Sequence, residues 1–405
     1  MINSRHDDQR LMALVLLVTA AAFLAPGCAT PYHMYLTWQG DPSTTMTVNF
    51  QTPRAAPEGI VYYDTAPHGQ DFEAYRFRAA AAPHRVPGIE DKRAVYSVEL
   101  ANLEPGSTYY FIYGVEGRRF SAPQQFRTVP NDGSPVRFVV GGDVSVHPRA
   151  RRLLRQAAAT DPDFVVIGGD IAYANGDPKN LWLWDYWLQI WRNSLRTQEK
   201  RVIPGVFALG NHETNDDFEE PERNAPFFFG FFAQGGSPYF ALQFGPDLAL
   251  IMLDSGHTVP HDGAQKEWLE ATLQELEDVP LKMAVYHVPF YPSHRGFDGS
   301  LSVAGREHWL PLFDAHGVAA GFEHHDHTFK RTKPLRGGQV DPEGTVYLGD
   351  GCMGVPPREI KNEGAWYLEK ASGTPHFWLV TVADGAATYE AIDIHGEVFD
   401  RYPED

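Results

Sequence analysis

The second half of this chain repeats one arrangement five times: a short apolar run ends in a side chain able to bind a cation, usually beside a glycine. In order these ends are Gly142-Asp143, Gly169-Asp170-Ile171-Ala172-Tyr173, Gly210-Asn211-His212-Glu213, Tyr286-His287-Val288-Pro289 and His325-Asp326-His327. The runs VRFVV, DFVVI, VFAL, ALIML, MAVY and TVYL are rich in strand formers and short enough for buried strands. Segments with helical texture lie between them, near 149–159, 179–197, 264–276 and 306–315, so the pattern predicts an α/β fold. The later stretches YFALQF, HFWLVTV and ATYEAIDI add strands that need not be parallel, which favours a mixed sheet or two stacked sheets. A Gly-Asp pair after a strand is ordinary turn chemistry when it stands alone. Five such ends in order predict a single crevice, because the carboxyl ends of neighbouring strands in an α/β sheet face the same opening.

A chain of 405 residues exceeds what one core usually organises, so a second domain is expected before residue 136. Residues 32–128 contain MYLTW, TTMTVNF, GIVYY, AVYSVEL, STYYFIYG and QQFRTV, short alternating stretches divided by turn formers, the pattern of a small antiparallel sandwich. The stretch Leu103-Glu104-Pro105-Gly106-Ser107-Thr108-Tyr109-Tyr110 resembles the turn and tyrosine of fibronectin type III domains, with Trp38 as a core candidate. Residues 129–135 read as the linker and 136–405 as the catalytic domain. Trp184, Trp187 and Trp191 recur at helical spacing, which assigns them to a packed helix face rather than to carbohydrate binding.

The apolar run at 11–25 follows Arg5 and Arg10 and is too short for a stable membrane span, so residues 1–27 read as an export signal. Cys28 directly after it resembles the acylated cysteine of bacterial lipoproteins, with ordinary cleavage nearby as the alternative. The expected location is therefore exported, either lipid-anchored to a membrane or secreted. Cys352 is the only other cysteine, and it reads as a small packed side chain. A net charge of −18 argues against a protein that grips nucleic acid through its phosphates. It does not argue against a phosphorylated small molecule, because bound metal ions supply a local positive field.

Together the five ends resemble the signature of the calcineurin-like metallophosphoesterases, which implies an αββα fold of two stacked mixed β-sheets flanked by helices. Two cations held about 3.5–4 Å apart repel, so a carboxylate must bridge them, and Asp170 is the candidate. Oxygen and imidazole donors suit Fe, Zn or Mn, and without paired cysteines a thiolate site is untenable. The resemblance narrows to the purple acid phosphatases. Many other relatives carry a histidine two residues after the first aspartate, where this chain has Ser145. The branch lacking it uses a tyrosine three residues after the bridging aspartate, matched here by Tyr173. His147 stands nearby at a spacing that does not fit.

That resemblance implies one metal on Asp143, Asp170, Tyr173 and His327 and a second on Asp170, Asn211, His287 and His325. Tyrosinate ligation would make the first Fe(III) and coloured, with Fe, Zn or Mn as the second. The resemblance further implies hydrolysis of phosphate monoesters by water activated at the metal pair. His212 and His294 are the candidates to bind phosphoryl oxygens and protonate the leaving group, His294 having an exposed loop residue as its alternative reading. Arg295 and Arg331 are candidates for substrate contact or for salt bridges, and Asp254 for orienting ligands. Where the family has Gly-His-x-His, this chain has Glu323-His324-His325-Asp326-His327, so His324 replaces the glycine and leaves the register to be fixed by the fold. Two other functions stay open: a phosphodiesterase or nucleotide hydrolase on the same metals, and a lipid-anchored binding module with a degenerate site. The sequence leaves the oligomeric state open.

Overall fold

Alternation with a period of two decides which face of each strand is buried, and among the described residues it builds four sheets of three or more strands. The computed structural model describes residues 31–215, 220–349 and 351–404. The expected signal segment and Cys28 lie outside the described residues. No described helix is long and apolar enough to cross a membrane.

The N-terminal all-β domain pairs β1 (Tyr32–Thr37), β2 (Met46–Thr52) and β5 (Ala94–Leu100) in one antiparallel sheet. A second antiparallel sheet runs β4-β3-β6-β7, built from β3 (Gly59–Asp64), β4 (Phe77–Ala81), β6 (Thr108–Val115) and β7 (Gln124–Arg127). Phe50, Tyr96, Phe111 and Phe126 fill the space between the sheets. Trp38 is buried in the same core and donates its indole N–H to the Thr45 carbonyl at 3.1 Å. In the 103–110 turn, the Glu104 N–H donates to the Tyr109 hydroxyl at 2.9 Å.

In the C-terminal half, β8 (Val136–Gly141), β9 (Phe164–Ile167) and β10 (Gly205–Phe207) are parallel. The antiparallel strands β20 (His376–Ala383), β21 (Ala386–Asp393) and β22 (Val398–Tyr402) extend that sheet. The facing sheet runs β11-β12-β13-β14-β18-β15-β19. Its parallel centre is β12 (Leu248–Met252), β13 (Leu281–Val285), β14 (Val318–Phe322) and β18 (Val346–Gly349). Its antiparallel flanks are β11 (Phe240–Phe244), β15 (Phe329–Thr332) and β19 (Leu368–Ser372). The strands β16 (Leu335–Arg336) and β17 (Gln339–Val340) form a separate small hairpin.

Phe138, Val140, Phe164 and Val166 point from the first sheet to Leu250, Met252, Met283, Val285 and Phe322 of the second. The intervening residues Val139, Val165 and Ile167 turn outward onto the helices Pro148–Ala159 and Leu181–Ser194. Ile251 and Ala284 do the same on the other side, against Leu269, Leu273, Trp309 and Phe313. The expected mixed, two-sheet architecture flanked by helices is what forms. Trp184, Trp187 and Trp191 are fully buried in the helix layer, so the tryptophan cluster belongs to the core. The helix expected at 306–315 instead forms as Ser300–His308 followed by Leu310–His316, because Pro311 cannot donate to an uninterrupted helical ladder.

The two domains are fastened by charge. Arg93, 6% exposed, donates to Asp185 of the helix Leu181–Ser194 at 2.6 and 3.0 Å, to Asp91 at 2.6 Å and to Gln51 at 3.1 Å. His33 adds a contact to the same carboxylate at 3.2 Å. Burial opposes ionisation of Asp185, but His33 and Arg93 outweigh it and hold the carboxyl down at about 2. Asp185→Ala removes two charge-assisted bonds from a buried guanidinium and is expected to lower the unfolding free energy by about 2 kcal/mol in a urea titration. An unchanged midpoint would show that this cluster does not fasten the domains.

Candidate metal centre

Each candidate ligand stands just beyond a strand, and the backbone bends sharply to aim it. Asp143, Asp170, Tyr173, His325 and His327 all have positive φ, between 53° and 76°. Side chains other than glycine enter this region at a cost of about 1–3 kcal/mol, and such residues concentrate where function requires them. Crowding explains the neighbouring glycines. A Cβ on Gly210 would lie 2.4 Å from both the amide nitrogen and Oδ1 of Asp170.

These bends bring the strand ends of both sheets together. Asp170, His287 and His325 each direct one ligand atom to a common point, with those atoms within 4.8 Å of one another, and Asp143, Asp170 and His327 do the same. Asp170 belongs to both groups. His287 Nε2 lies 3.3 Å from Asp170 Oδ1 and 3.1 Å from His325 Nδ1, and His327 Nε2 lies 2.9 Å from Asp143 Oδ1. Tyr173 joins the second group, its hydroxyl 3.2 Å from Asp143 Oδ1 and 3.3 Å from His327 Nε2. Next to them, Asn211 Oδ1 is buried with no hydrogen-bond partner among the described residues.

The surrounding bonds orient these donors. His287 Nδ1 lies 2.9 Å from the Gly168 carbonyl, an acceptor only, so Nδ1 carries the proton and Nε2 offers its lone pair to the cluster in the neutral ring. Burial would discharge His287, yet Asp170 and Asp143 push its pKa up to about 9. Burial, followed by the charges of Asp143 and Asp170, drives the Tyr173 phenol far above its ordinary value. It can therefore ionise only against a strong positive charge. Two buried carboxylates, three imidazoles, a phenol and an orphaned amide oxygen match what a pair of hard or borderline cations requires. The residues fit such a group.

His324 resolves the register. Its ring is buried beneath the cluster, against the glycines of two aspartate loops. A Cβ on Gly142 would come 2.6 Å from its Nδ1, and one on Gly168 only 1.8 Å from its Nε2. His325 and His327, not His324, therefore face the carboxylates. Asp326 accepts the N–H groups of Ser293 at 2.8 Å and His294 at 2.7 Å, tying the loop after His287 to the loop after β14.

The remaining candidates divide. His212 stacks on Tyr173 with ring centroids 4.1 Å apart, its Nε2 3.9 Å from Asp170 Oδ2 and its Nδ1 paired with Asn175. The His294 ring pairs through Nδ1 with the Glu359 carbonyl at 2.8 Å, a bond that leaves Nε2 unused. Arg331 is a buried salt-bridge residue, 2.7 Å from both Asp400 and Glu404, which decides between its two readings. Arg295 lies beside the cluster, donating to the His325 carbonyl at 2.7 Å. Asp254 collects the N–H groups of His257, Thr258 and Val259 at 2.7–3.0 Å, and His257 meets His287 edge-on at 5.6 Å. His147 caps the helix Pro148–Ala159. Cys352 is buried, with Sγ 3.1 Å from the Thr374 carbonyl.

One residue had no assigned role in the sequence. Glu213 is buried and accepts the N–H groups of Asp170 and Ile171 at 2.7 Å and of Gly210 at 2.9 Å, locking two ligand loops together. Burial, followed by the charge of Asp170, pushes its pKa up to about 8. The only sequence signal was its place two residues after Asn211.

Residues 31–128 match the purple acid phosphatase N-terminal domain and residues 136–329 the calcineurin-like phosphoesterase family. Purple acid phosphatase 21 of Arabidopsis thaliana is 28% identical over 266 residues, covering 64% of this chain and 58% of that protein. Purple acid phosphatase 18 of the same plant is 25% identical over 353 residues, covering 80% and 71%. The chain thus spans little more than half of some of these relatives. The solved purple acid phosphatase PPD1 from yellow lupin seeds superposes with a TM-score of 0.76 at 18% identity, covering 92% of this chain and 74% of that one. The chain therefore carries a purple acid phosphatase N-terminal domain followed by a calcineurin-like phosphoesterase domain.

Proposed function

We propose that this chain is a hydrolase of phosphate monoesters that works on two metal ions. One ion is held by Asp143, Asp170, Tyr173 and His327, the other by Asp170, Asn211, His287 and His325. The observation that carries the reading is the sharing of Asp170 between two groups of converging donors, as a bridged pair requires. When bound, the ions supply Lewis acidity towards water and the phosphoryl oxygens. Fe(III) takes the Tyr173 site, where a phenolate oxygen suits a hard trivalent cation, and the second site takes Fe, Zn or Mn.

The protein's own groups do the rest. His212, held by the Tyr173 ring and Asn175, binds a phosphoryl oxygen or gives a proton from Nε2 to the departing alkoxide. His294, oriented by the bond from its Nδ1 to the Glu359 carbonyl, keeps Nε2 for the same two tasks. Glu213 and the His287–Gly168 bond keep the ligands aimed without reorganisation. Export through the N-terminal segment, with a lipid anchor at Cys28, completes the proposal.

Metal analysis and a visible spectrum of the purified protein test it, together with a panel of mono- and diesters. The expected result is two metals per chain, a tyrosinate-to-iron band that disappears in Tyr173→Phe, and a preference for monoesters. Two colourless metals would remove Tyr173 from the ligand set, and a diester preference would replace the substrate class.

A further inference from the structure

Arg295 and Arg358 come from different loops, yet both point a guanidinium NH1 at the carbonyl oxygen of His325, at 2.7 and 3.5 Å. Arg295 is anchored on one side by Asp326, whose Oδ1 lies 3.3 Å away, while its side chain remains 35% exposed. Arg358 is half-buried and forms no ion pair among the described residues. Its own backbone N–H donates to the His327 carbonyl at 2.9 Å, so the loop carrying it is fixed to the ligand segment. Lys361 and Asn362 fasten that loop further through N–H bonds to the Ser293 carbonyl at 3.0 and 3.1 Å. The Asn362 amide adds bonds to Pro292 and Arg295 carbonyls, both at 2.7 Å.

Two cations converging on one neutral carbonyl repel each other and leave most of their donors unused, since a guanidinium carries five N–H groups in a fixed fork. Such an arrangement is a poor way to stabilise a loop and a good way to hold an anion. We propose that Arg295 and Arg358 form a subsite for a second anionic group of the substrate, at the main-chain carbonyl of His325. The preferred substrates are then phosphate esters whose alcohol carries a carboxylate or another phosphate within a few bonds of the scissile group. This inference rests on reading the neighbouring Asp/His cluster as the phosphoester centre. It explains why the loop 358–362 is tied so closely to the segment that follows His287.

The test compares phenyl phosphate, the carboxyphenyl phosphate isomers and phenylene bisphosphate as substrates of the full chain and of Arg358→Ala, Arg358→Lys and Arg295→Lys. The wild-type chain is expected to favour at least one doubly anionic ester over phenyl phosphate. In Arg358→Ala the ratio of kcat/KM values is expected to fall about tenfold, through KM, the worth of a part-exposed charge-assisted bond. Arg358→Lys should restore part of the ratio. The carboxylate and bisphosphate arms separate the two kinds of second anion. A ratio that stays constant while all rates fall together would make the arginines structural and overturn the subsite alone. A wild-type chain that hydrolyses none of the three esters would instead overturn the phosphoester reading beneath it.

Discussion

Asp170→Asn is expected to lower turnover of phosphate monoesters by about a thousandfold or more and to cost the chain at least one of its metal ions, read by metal analysis of the purified variant. Asparagine keeps the size of the side chain and an oxygen to accept the His212 N–H, which Asp170 Oδ1 now accepts at 2.9 Å. It removes the one negative charge common to both groups of donors. In the metal-free chain the substitution relieves the repulsion from Asp143 but gives up the attraction to His287 at 3.3 Å, which holds the Asp170 carboxyl below its ordinary pKa, so the two changes oppose each other and only a modest loss of stability is expected. Activity and metal content should therefore collapse while the fold persists. Full metal content with full turnover would show that Asp170 is not the bridge.

The second large effect concerns packing beneath the cluster. Gly168→Ala puts a methyl group 1.8 Å from His324 Nε2 and 2.0 Å from its Cδ2, with the ring buried and Gly142 close on its other side. Overpacking of this kind costs about 3 kcal/mol, and here it would also push apart the loops that carry Asp143 and Asp170. The variant is expected to lose both thermal stability and metal affinity. Removing the obstructing ring should reverse part of the damage, so Gly168→Ala with His324→Gly is expected to be more stable than Gly168→Ala alone, with about 1–3 kcal/mol of coupling. Additive losses in that cycle would mean that His324 is not what occupies the space.

How far the chain could be read in advance follows from which features are local. Apolar runs closed by Gly-Asp or Gly-Asn-His carry their meaning in sequence, since a buried strand and a sharp turn each leave a short-range mark. β4 left no such mark, because its Phe-Arg-Ala-Ala-Ala lies on an edge where nothing demands alternation. Glu213 was hidden for another reason: a buried carboxylate that accepts three backbone N–H groups looks like any other glutamate until the two loops it joins are adjacent. The direction of His324 depended on empty volume above Gly142 and Gly168, a property of three segments at once. The bond that orients the His294 ring comes from a carbonyl 65 residues further on, and loop pairing at that range has no local signal.

The donors do not all hang from one layer. Asp143, Asp170 and Asn211 follow β8, β9 and β10, whereas His287, His325 and His327 follow β13 and β14 of the opposite sheet. Each cation would therefore act as a rivet through both plates of the molecule, and its departure would loosen the seam between them. Occupancy and mechanical integrity are then a single quantity, so a scarcity of metal would be felt as fragility as well as lost chemistry.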